Sequence, residues 1–214
     1  MYQFSGFSQA DFDVFLIPEF HERMSALRTR VRPKLAMLGD DLAPRLEALT
    51  GHPMYPHTAS HARRRVNPPD DTWVAFSRSD RGYKRYAHFE VGLARDYAFV
   101  RFSVKAESDV DKPGLLQYLR EYGLRAFALE GQDPIYYYDN DHGEGPHDVR
   151  ELTAEDLARI VERTQLKSRG FTMGVVFERN LAVLKSGEFV TRAYNTISHL
   201  VPVYEGTLMA AASR

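Results

Sequence analysis

Apolar residues at Phe20, Met24, Leu27, Val31, Leu35, Leu38, Leu42, Leu46 and Leu49 recur in steps of three and four, the spacing that gathers side chains on one face of an α-helix. From Trp73 onward the spacing becomes two: Trp73 and Ala75, then Phe89, Val91 and Leu93, then Ala98, Val100, Phe102 and Val104. That is the pattern of strands with one buried face. Adjacent strands without intervening crossover helices pair antiparallel. The chain is therefore expected to form a single α+β domain, with an N-terminal helical part (1–51) packed on a sheet-containing part (72–205) that carries further helices. The alternating Phe, Val and Leu of strands 73–76, 89–93 and 98–104 should face the helices, with Trp73 as a core anchor.

Punctuation refines this outline. Ser8 with Asp11 reads as the cap of a short helix ended by Pro18. Pro33 and Pro44 lack the donors an unbroken helix needs, and Gly39 before Asp40 and Asp41 reads as a stop and a new cap. The first part is thus expected as two or three consecutive helices closed by Gly51, with Arg23, Arg28, Arg30, Arg32 and Lys34 on a solvated face. Arg95-Asp96 makes a tight hairpin connection, and Asp111 with Pro113 opens a helix that stops at Gly123. Residues 135–138 read as a short strand. Thr153 and Asp156 form a capping box, with Leu152 and Leu157 as its staple. Phe171, Met173, Val175 and Phe177 alternate as a strand, a last amphipathic helix spans 189–201, and the terminal MAAASR should fray.

Composition removes several function classes. A net charge of −1 over 214 residues argues against a surface that is wholly a nucleic-acid footprint, so any anion site is local. Without cysteine the chain has no disulfide, thiolate metal site or cysteine nucleophile, which fits a reducing cytoplasm. No basic segment precedes an apolar run at the start, and no stretch approaches the roughly 18 apolar residues of a membrane span. A cytoplasmic protein without membrane contact is expected. Nucleotide-loop, dinucleotide and GxSxG patterns are absent, and the residues imply no cofactor.

The densest chemistry lies in HTASHARRRVNPPDDTWVAFSRSDRGYKRY, from His57 to Tyr86. Arg63, Arg64, Arg65, Arg78, Arg81, Lys84 and Arg85 outnumber Asp70, Asp71 and Asp80, and Trp73, Tyr83 and Tyr86 offer stacking faces. Arginine forks match phosphate and carboxylate oxygens. The expected ligand site is a basic groove built from His57, His61, Arg63, Arg64, Arg81 and Lys84. It would take a phosphate-bearing small molecule, another anion or a short nucleic-acid segment, with Arg63 and Arg64 held by the Pro68-Pro69 turn. Two alternatives stand beside it. One is a hydrolase-like enzyme in which His57 or His61, four residues apart, is a general base or metal ligand; the other is a structural, partner-binding domain. The histidine pair lacks the intervening Glu and a third ligand that a zinc site needs. The acidic stretch Asp139, Asp141, His142, Glu144, His147 and Asp148 lacks calcium-loop spacing and reads as a solvated loop. No metal is expected.

FSGFSQADFDVF, TRVRPKLAMLG, HARRRVNPPDDTWVAF and RGYKRYAHFEVGL, in this order, resemble the YktB-like family of uncharacterised bacterial proteins, found mainly in Bacillus-type organisms. The stretch from His61 to Trp73 is the most specific element, and RGFTMGVVFERN extends the likeness into the second half. The resemblance implies a single α+β domain. It implies no activity, cofactor or site residue.

Overall fold

The computed structural model describes residues 3–127, 133–138 and 146–212. Its helices are α1 (Gln9–Asp13), α2 (Phe20–Ala26), α3 (Arg32–Thr50), α4 (Lys112–Tyr122), α5 (Ala154–Gln165) and α6 (Glu188–Ala212). The strands are β1 (Tyr55–Thr58), β2 (Asp71–Ser77), β3 (His88–Ala94), β4 (Tyr97–Val104), β5 (Tyr136–Tyr138), β6 (His147–Asp148) and β7 (Phe171–Glu178). They form one sheet in the order β1-β2-β3-β4-β7-β5-β6, every neighbouring pair antiparallel. The α+β reading therefore holds.

Register sorts the side chains into two faces. Val74 stands opposite Val91, Val91 opposite Val100 and Val100 opposite Val175, so the apolar positions of β2, β3, β4 and β7 share one face. Helices α3 and α6 cover it: Phe89 meets Tyr204 of α6 at 5.1 Å and Phe177 meets Phe189 at 5.7 Å between ring centres. Phe4 and Phe7, ahead of α1, close the same layer against Phe189. The other face carries Trp73, His88, Glu90, Phe99, Arg101 and Ser103 at the alternate positions.

The first helical stretch departs from its expected breaks. Residues 20–50 run helical without interruption, through one wide turn at Leu27–Val31 where the Arg32 N–H bonds the Leu27 carbonyl. Pro33 follows at once, and an extra residue in the turn accommodates the missing donor and the ring. Gly39 does not stop α3. A Cβ there would lie 3.0 Å from Pro56 Cβ and 3.2 Å from Val74, so glycine lets the helix lie close on β1 and β2. Pro44 also sits inside α3, and Gly51 ends it in the left-handed region at φ +69°.

Other boundaries follow their signals. Thr153 and Asp156 exchange the reciprocal bonds of a capping box at 2.9 and 3.1 Å. Asp111 precedes α4, but its carboxylate leaves the helix end and accepts from Arg78 and the Ala87 N–H. The acidic stretch is only partly described: Asp139, Asp141, His142 and Glu144 lie outside the described residues, while His147 and Asp148 form β6. Of the terminal MAAASR, helix α6 includes the residues through Ala212, and Ser213 and Arg214 lie outside the described residues.

Arg23 and Lys34 are not solvated charges. Arg23 is 8% exposed and donates to the carbonyls of Ile17 at 2.7 Å and Pro69 at 3.0 Å, and Lys34 pairs with buried Asp11. Period alone places a side chain on a helix flank; whether a loop returns to cover that flank is a tertiary matter.

Where α6 crosses α4, a Cβ on Gly206 would lie 2.1 Å from the Tyr118 ring. Ala is intrinsically about 1 kcal/mol better than Gly in a helix, yet the clash should win. Gly206→Ala should destabilise by about 1–3 kcal/mol in a denaturant titration, and most of that loss should vanish in a Tyr118→Leu background. A stabilised Gly206→Ala would mean that the helices simply slide apart.

Candidate functional site

Two loops flank the open side of β1 and β2. In the first, residues 59–70, the Ala59 N–H bonds the Trp73 carbonyl at 2.8 Å and His61 adopts φ +52°, a left-handed conformation unusual for a residue with a Cβ. Arg64 folds back, its Nη1 donating to the carbonyls of Asn67 at 3.4 Å and Pro68 at 3.1 Å. Arg23 holds the far end at Pro69. In the second, residues 78–87, Gly82 takes φ +147° in the expected turn, and both ends meet Asp111.

Between these loops lies a groove of about 840 Å³. All six residues singled out from the sequence, His57, His61, Arg63, Arg64, Arg81 and Lys84, line it, together with Trp73, Tyr83, Arg85 and Tyr86. No Asp or Glu is among the described residues lining it. Arg85 pairs with Asp109 at 2.8 Å and Lys84 with Glu107 at 3.4 Å, both largely solvent-exposed. Arg63 and Arg81 have no ion pair among the described residues. Arg65 is exposed outside the groove, and Arg78 is withdrawn from it by a two-pronged contact with Asp111 at 2.6 and 2.7 Å.

The histidines are not spaced along a helix. His57 sits in β1 opposite Ala75, with Nε2 2.7 Å from the Ser79 carbonyl oxygen. His61 lies in the loop, Nε2 3.1 Å from Thr72 Oγ1 and its ring edge-on to Trp73 at 5.5 Å. Burial, with Arg64 and Arg32 nearby, lowers its pKa to about 4. Burial first, then the Glu90 charge, pushes the Tyr83 hydroxyl up to about 12. Among the described residues no three His, Asp or Glu side chains converge as metal ligands. Trp73 is not in the helix-covered core: it stands half-buried on the opposite face as a wall of the groove.

Sequence reasoning missed the floor beside this wall. Glu90 is fully buried, bonded to Lys105 Nζ at 2.7 Å, His88 Nε2 at 3.1 Å, Arg101 Nη2 at 3.3 Å and Ser103 Oγ at 3.3 Å. Desolvation opposes its ionisation, but Lys105, His88 and Arg101 together hold the carboxyl well below the ordinary range. A signal was present: one charge in each of two apolar strands, at positions that face each other once β3 and β4 pair as a hairpin. A second cavity of about 270 Å³ opens here, lined by Asp71, Trp73, Arg101, Lys105 and Glu107 among others.

The fold and site define an α+β protein whose antiparallel sheet is roofed by helices on one face and bears a basic groove and a buried charge cluster on the other. The chain belongs to the DUF1054 family, whose model, described as a domain of unknown function, matches residues 7–204. It is 37% identical over 188 residues to a UPF0637 protein of Bacillus velezensis, across 86% of this chain and 88% of the relative. A UPF0637 protein of Bacillus cytotoxicus is 35% identical over 204 residues (92% and 95%), and one of Shouchella clausii 33% over 209 residues (97% of each). The YktB-like resemblance is borne out. Among the described residues no helix is long and apolar enough to cross a membrane.

Because the folded-state pKa of Glu90 is depressed, its contribution to stability is complete above its unfolded value, about 4.3, and is lost as pH falls through the lower folded value. Glu90→Gln leaves Lys105 and Arg101 without their shared anion, so it should cost about 3–5 kcal/mol at pH 7. The gap between variant and wild type should narrow as pH falls below about 4. Urea titrations across that range check both; a pH-independent gap would place the cost in packing instead of charge.

Proposed function

We propose that the protein binds a phosphate-bearing anion in the groove between residues 59–70 and 78–87. The observation that carries this reading is the state of Arg63 and Arg81: two guanidinium groups lining one groove from its two flanking loops, neither with an ion pair among the described residues. Arg85 of the same groove, and Arg23, Arg78, Arg101, Arg150 and Arg179 outside it, each engage a carboxylate. Cations left uncompensated in a concavity raise the local potential and attract anions, and a guanidinium fork suits phosphate oxygens. The loops also reduce the ordering cost of binding, since Arg64, Pro69 and Ala87 are each tied down by hydrogen bonds.

A second reading, an enzyme acting on the same ligand, draws on the placement of both histidines along one groove. A pKa of about 4 leaves His61 weakly basic at neutral pH, so the test of this reading is placed on His57. The assay is release of inorganic phosphate from phosphate esters, with loss of turnover in His57→Ala at unchanged binding.

Calorimetric titration with inorganic pyrophosphate at two salt concentrations tests the binding reading. Arg63→Ala and Arg81→Ala should each weaken binding about 10- to 100-fold, whereas Arg28→Ala, on the exposed helix, should change it less than about twofold. Arg64→Ala should fall between, since that guanidinium already serves two loop carbonyls. Equal losses in every variant would indicate a diffuse surface, and no binding by the wild type would overturn the proposal.

A further inference from the structure

The smaller cavity and the basic groove are neighbours. Trp73 lines both, and the Lys84–Glu107 pair spans the divide, Lys84 on the groove side and Glu107 on the other. That pair is about half exposed and 3.4 Å long, an interaction of small net worth that a ligand can displace. Trp73 is thus a wall common to both cavities, and a molecule reaching across it would occupy both.

The smaller cavity differs chemically from the groove. Its walls alternate sign: Asp71 and Glu107 are carboxylates, the latter paired with Lys84, while Arg101 and Lys105 are cations. Asp71 Oδ2 receives Arg101 Nη2 at 3.4 Å, and Oδ1 has no hydrogen-bond partner among the described residues. Arg101 and Lys105 also bind buried Glu90, at 3.3 and 2.7 Å, and the Arg101 guanidinium lies over the Phe99 ring at 3.5 Å. Trp73 supplies an aromatic surface, and Lys105 Nζ stands 5.3 Å from that ring centre. The site thus offers an aromatic wall with a cation over its face, an acceptor-only carboxylate and, next to it, two donor-only cations that share Glu90 beneath them.

We infer that this cavity takes the base of a guanine nucleotide whose phosphates lie in the basic groove, an inference that rests on the phosphate reading above. A carboxylate accepts hydrogen bonds and donates none, so the edge it prefers presents two adjacent N–H groups. Guanine has that edge in N1–H and the 2-amino group, and its O6 and N7 beside it are acceptors for cationic donors. Adenine turns a lone pair at N1 toward the carboxylate, and cytosine does the same at N3. Uracil has a single N–H between two carbonyls. Only the guanine edge satisfies Asp71 and the adjoining Arg101 and Lys105 together, while its ring can stack on Trp73.

The experiment is a calorimetric comparison of GDP, ADP and inorganic pyrophosphate binding to the full chain. GDP should bind at least about tenfold tighter than either of the others. Asp71→Asn should erase the preference of GDP over ADP while leaving pyrophosphate unchanged, and Arg63→Ala should weaken all three. Pyrophosphate binding with equal GDP and ADP affinities overturns the base assignment and leaves the phosphate reading standing. If none of the three binds, both fall. The wild-type comparison needs no variant, so it decides the matter even if Asp71→Asn fails to fold.

Discussion

One buried carboxylate organises the groove side of the molecule. Asp111 accepts the Arg78 fork at 2.6 and 2.7 Å and the Ala87 N–H at 2.6 Å, and so closes both ends of the loop that carries Arg81, Tyr83, Lys84 and Arg85. The same residue begins α4, which packs on α6 over the core. Burying an ion pair is costly, but three directed bonds satisfy most of the carboxylate's acceptor capacity, the condition under which such a pair holds a conformation. Arg23 does the equivalent for the facing loop by binding the Pro69 carbonyl from α2. The groove is thus positioned by contacts that arise in the helices.

The part of the fold that depends on local pattern was legible in the sequence. The change of period, the β3–β4 hairpin, the Thr153 cap and the Gly51 and Gly123 stops all act within a few residues. What escaped requires a partner distant in the chain. β1 is four residues with a proline, too short for a period to register. Gly39 has the same local signature whether it ends a helix or lets one lie close on a strand. Arg23 and Asp111 read as a surface charge and a helix cap until the loops they hold are in place. The six candidate residues do share one groove, whereas Glu90, the most buried charge beside it, shows only when two strands are set in register.

The two cavities illustrate how a chain of nearly neutral total charge can carry strongly polar sites. Around Glu90 and Asp71 opposite charges pair with one another across β2, β3 and β4. At Arg63 and Arg81 nothing described opposes the charge. Paired charges set shape, and unpaired ones set attraction. Trp73 stands between them as a wall of both cavities.

β1 has a further consequence for how copies of this chain coexist. A sheet edge with unpaired backbone groups is a template on which another molecule can add a strand. Here that edge is four residues long, and Pro56 removes one of its amides. The same proline is the surface against which α3 rests through Gly39. Replacing it by a residue with an N–H would restore an edge donor and remove the ring on which the helix lies, so one residue both interrupts the free edge and serves as a bearing.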